Sequence, residues 1–82
     1  MDDVTLSLTA DQALVLSDWL DRAMHTAAFE AAVDDRAVWS PLLSISAALD
    51  KRLVMVFDPA YRTRLEQARE RLIEELGDFR AG

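Results

Sequence analysis

The chain holds a single histidine, His25, four residues after Asp21 and seven after Asp18, with Arg22 between. Residues four apart on a helix are neighbours, so His25 and Asp21 have the spacing of a base with its orienting carboxylate, or of two metal ligands. That pair lacks both a third fixed ligand and a nucleophile. A solvated polar helix face accounts for the same residues. Asp11, Asp18 and Asp21 also resemble a carboxylate cluster for a divalent cation, but calcium takes about six to eight oxygens, usually from a loop with a glycine at its sharp turn. The sequence has no such loop, and neither does it have a glycine-rich phosphate loop, Gly-x-Ser-x-Gly, His-Glu-x-x-His or Cys-x-x-Cys. Ser40, Ser44 and Ser46 have no histidine nearby in sequence. The reading is therefore non-enzymatic, with no catalytic residue, no metal and no cofactor. An enzyme working through His25 with Asp18 and Asp21 is the competing class.

Trp19, Trp39 and Tyr61 are of the type that stacks bases in single-stranded nucleic-acid sites, but such sites also need a basic groove. Here these aromatics fall on apolar helical positions of an acidic chain, which favours packing and excludes a nucleic-acid partner. The arginines of the last third carry more information. Arg62-Glu66 and Arg71-Glu75 are i,i+4 pairs in the less favourable order, and Arg62 and Arg64 oppose the helix dipole near a helix start. Local helix energetics do not explain them. They have the placement of charges that flank a helix–helix seam and set its partner, together with Arg69. Aspartates of the first helix, in the same chain or a second copy, are the natural counterparts.

Three helices must position these residues, near 10–27, 30–52 and 59–77. Thr9-Ala10-Asp11-Gln12 fits a capping box. Ala13, Leu16, Leu20, Ala23 and Ala27 follow at helical spacing, widened by Val15 and Trp19, and so wide a face meets two neighbours. In the second helix Val38, Leu42, Ile45, Leu49 and Leu53 form one apolar face. Trp39, Leu43, Ala47 and Val54 form another, so this helix is sandwiched or presents a face to another chain. Pro41 kinks it or, with Ser40 as N-cap, restarts it. Asp58-Pro59 reads as N-cap and first helical residue, Tyr61, Leu65, Ala68, Leu72, Leu76 and Phe79 as the seam of the last helix, and Gly77 as its C-terminal cap. Val4, Leu6 and Leu8 alternate with polar residues as a short strand over 4–8, and 53–57 is a candidate second strand to pair with it. The fold class is mainly α: one small helical domain over 1–82.

Eighty-two residues allow one domain, and a chain this short buries little of its surface without help. With no cysteine, disulfides and thiolate metal sites are excluded, which leaves helix packing or association. The net charge of −6 is lopsided. Residues 1–35 hold eight acids against one base, a balance of −7. Such asymmetry keeps a protein soluble, or steers it to a basic partner such as a toxin neutralised by an acidic immunity or antitoxin-like protein. Met1-Asp2-Asp3 lacks the basic start of a secretory signal, and Leu53 to Phe57 is far shorter than a membrane span. A cytoplasmic location without membrane contact is expected.

The blocks Leu8-Thr9-Ala10-Asp11-Gln12-Ala13-Leu14-Val15-Leu16 with Asp18-Trp19-Leu20, then Trp39, Leu49-Asp50-Lys51-Arg52-Leu53-Val54, Phe57-Asp58-Pro59-Ala60-Tyr61 and Ala68-Arg69-Glu70-Arg71-Leu72 span most of the chain. In them it resembles a family of short bacterial proteins of actinomycete type, to which no activity is attached. That resemblance implies a small cytoplasmic domain and carries over no catalytic residue. Pro41 departs from its pattern. The expected function is a protein-binding or adaptor domain that forms a twofold homodimer, with Trp19, Trp39, Leu43, Arg62 and Arg69 as candidate contacts. If the chain does not pair with itself, Trp39 and Leu43 become a site for a different protein. Replacing Thr9 or Asp58 by alanine is expected to cost about 1 kcal/mol of unfolding free energy in urea titrations, through the lost cap.

Overall fold

In the computed structural model, which describes residues 2–52 and 59–77, helices dominate and no strand occurs among the described residues. Helix α1 spans Ala10–Ala23, α2 Ala27–Ala32, α3 Trp39–Arg52 and α4 Tyr61–Leu76, with a single 3-10 turn at Arg36–Val38 leading into α3. The capping box at α1 is complete. Gln12 N–H donates to Thr9 Oγ1 at 3.1 Å, and the Gln12 side chain accepts from Thr9 N–H at 2.8 Å.

α1 is the central element, packed against both α3 and α4. It runs antiparallel to α4, since Asp11 meets Arg71 at one end of the contact and Asp18 meets Tyr61 at the other. Leu14, Leu65 and Ala68 form the buried cluster between them, with Val15 and Tyr61 packed against it. Leu20 of α1 and Leu49 of α3 are the other buried apolar residues. Leu14 lay outside the stripe drawn from the sequence. A helix with neighbours on two sides buries more than one stripe, and Leu14 serves the α4 side.

Several sequence expectations are corrected. The strand at 4–8 does not form: these residues have no regular secondary structure and are exposed, because a strand needs a paired edge for its amides and none is present among the described residues. The candidate strand at 53–57, the Asp58 cap and Phe79 lie outside the described residues. The first helix stops at Ala23 rather than 27. Thr26 intervenes: its hydroxyl donates to Ala23 O at 2.7 Å and accepts from Phe29 N–H at 3.2 Å, so it closes one helix and caps the next. The helix expected over 30–52 is interrupted at 33–35, where the Asp35 side chain accepts from Ala37 N–H at 2.9 Å and starts the 3-10 turn. Ser40 is not an N-cap. α3 begins at Trp39, and Pro41 is accommodated in its first turn, where an amide has no intrahelical partner to lose. α4 starts at Tyr61, with Pro59 in the preceding turn instead of the first helical position.

At the other end of α4, Gly77 caps as expected. Its amide donates to Glu74 and Ile73 carbonyls, and its φ of 58° suits a residue without Cβ. Leu76 is exposed, contrary to its place in the expected seam. The cause is register: α1 starts opposite Arg71, so the last turn of α4 overhangs it. Of the second helix's two apolar faces, Leu42, Ile45 and Leu49 turn inward, while Leu43 and Ala47 face outward. Leu14→Ala or Leu65→Ala is expected to cost about 2–5 kcal/mol in urea unfolding, a large share of the stability of so small a core.

Candidate functional site

His25 sits exposed in the turn after α1. Asp18 does not serve it. Arg22 Nε donates to Asp18 Oδ2 at 3.0 Å, and the Tyr61 hydroxyl donates to Asp18 Oδ1 at 3.3 Å. Tyr61's hydroxyl is pushed above the usual phenol range, first by burial and then by the Asp18 charge. Asp18 is thus directed at α4, while Asp21 remains exposed. Among the described residues no three His, Asp or Glu gather as a metal site would require. Ser40 and Ser44 are exposed on α3.

The two tryptophans come together through a residue the sequence reading missed. Phe29 meets Trp19 edge-on at 5.7 Å and 69°, and meets Trp39 at 5.6 Å and 74°. Edge-to-face contact of this kind sets the positive ring edge against a π face. The row ties α1, α2 and the start of α3. Its signal in the sequence is Thr26 three residues ahead of Phe29, a helix start that places one aromatic on the short helix.

Beside this row, α1 and α4 leave an open groove of about 420 Å³. Val15 and the buried Leu65 form its floor, Leu16 and Trp19 one wall, and Leu72 the other. Leu8 lines one end with Gln12 and Leu72, and Arg22 stands at the far end near Trp19. Arg69 borders the middle. Trp19 is 46% exposed although it lies in this concavity. Of the candidate contacts, Trp19 and Arg69 therefore share one groove, and Trp39 adjoins it through Phe29. Leu43, 56% exposed on α3, and Arg62, exposed at the start of α4, do not line it.

The opposite side of the α1–α4 contact is polar. There Arg71 grips Asp11 with two parallel bonds, Nε to Oδ2 at 2.7 Å and Nη2 to Oδ1 at 2.9 Å. The expected pairing of last-helix arginines with first-helix aspartates is realised at this position, within one chain. Arg69 Nε lies 3.8 Å from Glu66 Oε1 within α4. The Arg71 hydrogen bonds hold the Asp11 carboxyl below the usual carboxylate range, and Asp11 in turn raises Arg71.

No family model, curated protein or solved structure matches the chain.

The groove and its aromatic flank are thus read on their own chemistry. An apolar trough rimmed by tryptophan and arginine has the make-up of a protein-binding surface, since those two side chains dominate interface energetics. Among the described residues no helix is long and apolar enough to cross a membrane. Because the folded pKa of Asp11 lies below its unfolded value of about 3.9, its stabilisation is complete above that value and is lost as pH falls through the folded one. Asp11→Asn is accordingly expected to lower the thermal midpoint at pH 7, with the gap to the parent closing below about pH 4 in melts across the acid range.

Proposed function

We propose that the protein is a non-enzymatic protein-binding domain that works as a homodimer. The half-exposed Trp19 in an apolar groove between α1 and α4 carries this reading. The size of the exposed surface supports it. The chain exposes 7022 Å², against about 4,900 Å² for a compact monomer of its 9.2 kDa mass. That is an excess of about 2,100 Å², and Val4, Leu6, Leu8, Trp19 and Leu43 are among the exposed large apolar side chains. The excess is more than the roughly 800 Å² that each partner contributes to a specific interface.

Light scattering across micromolar concentrations is expected to return twice the 9.2 kDa chain mass. Trp19→Ala is expected to weaken association at least about tenfold in the same measurement. A parent particle of 9.2 kDa at every concentration contradicts the reading.

A further inference from the structure

We infer that the groove between α1 and α4 is the seat of residues 2–8 from a second copy of the chain, exchanged reciprocally about a twofold axis. The inference rests on the self-association proposed above and names the segment that makes it.

The segment and the groove match in pattern. Val4, Leu6 and Leu8 alternate with polar residues, the signature of an extended segment with one buried face. Among the described residues most of that face is left uncovered: Val4 is 84% exposed, Leu6 78% and Leu8 49%. The groove has the converse character: Leu8, Val15, Leu16, Trp19, Leu65 and Leu72 make up most of its lining.

They also match in length. From Gln12 to Arg22 along α1 the groove runs about 15 Å at 1.5 Å per residue. From Leu8 back to Asp3 an extended chain runs about 16–17 Å at 3.3 Å per residue. Laid antiparallel to α1 of the partner, the segment brings Leu8 to the groove's open end. Leu6 then falls between Leu16 and Leu72, and Val4 beside Trp19. Asp2 and Asp3 arrive at the end where Arg22 stands, bonded to Asp18 of its own helix at 3.0 Å. Leu8 of the receiving chain already lines that open end. A twofold axis there sets the two Leu8 side chains together and sends each segment into the other copy's groove.

The same segment does not occupy its own groove. Thr9 is held extended, at φ −69° and ψ 165°, by both hydrogen bonds of the capping box. A return over α1 would require the chain to reverse at that residue. Neither Val4 nor Leu6 lines the groove of its own chain. Entry from a second copy leaves the capping box intact.

The chain has no cysteine, so single cysteines report the contact cleanly. Full-length Leu6→Cys and Leu72→Cys are mixed in equal amounts and oxidised in air. The mixed disulfide is expected to exceed either self-linked product several-fold, and the chain carrying both substitutions is expected to give covalent dimers. Light scattering on Val4→Asp/Leu6→Asp, two exposed positions whose change spares the core, is expected to show dimer association weakened at least about tenfold. An internally linked monomer from the double-cysteine chain overturns exchange in favour of a segment seated on its own groove. A dimer that Val4→Asp/Leu6→Asp leaves intact, with no excess of mixed disulfide, overturns the inference but spares self-association through another face. A monomeric parent overturns both.

Discussion

Ala68 is fully buried, and its small side chain lets α4 approach α1 closely enough for Leu14 and Leu65 to pack beside it. Everything else in the described structure is arranged around that approach. Among the described residues α3 and α4 share few contacts, so both lean on α1 rather than on each other. The antiparallel register is marked at its two ends by Asp11–Arg71 and Asp18–Tyr61. An exposed ion pair such as Asp11–Arg71 contributes little free energy, because water screens it and long side chains lose freedom, and Tyr61–Asp18 is a single hydrogen bond. Their part here is to select one alignment of two amphipathic helices that hydrophobic packing alone would allow to slide.

A helix of 14 residues pressed by neighbours on two sides still has a third strip to place. Val15, Leu16 and Trp19 occupy it, and with Leu65 and Leu72 of α4 they make the groove. A larger protein would cover such a strip with another element. Among the described residues the short α2 reaches Trp19 through one ring, Phe29. The exposed apolar surface is thus a geometric consequence of building around a shared central helix in a short chain. It supports the proposed binding role because covering it from outside completes what the chain leaves open.

What could be read from the sequence was local chemistry. Thr9-x-x-Gln12, Gly77 and the demand of the last-helix arginines for first-helix aspartates are each decided within one turn or by one ion pair. They occur as read. The break at residues 24–26 was misplaced because no glycine or proline marks it; Thr26 does the work through its hydroxyl, and threonine is common inside helices too. The strand at 4–8 failed for a different reason: alternation states which side chains seek burial, and pairing depends on a neighbour the pattern does not contain. Leu76 and Leu14 turned on where α1 starts relative to α4, a register no periodicity specifies. Of the site, Trp19 and Arg69 were visible as residue types, whereas Phe29 and the groove's walls needed the helices set side by side.

The central claim is that this small core is completed by a second copy, and the dependence of thermal unfolding on protein concentration tests it most directly. When folding and pairing are linked, the midpoint rises with concentration, by about 8 °C for a hundredfold increase in a dimer of this size. The account predicts that rise, reversible on dilution. A midpoint constant across the same hundredfold range would contradict it.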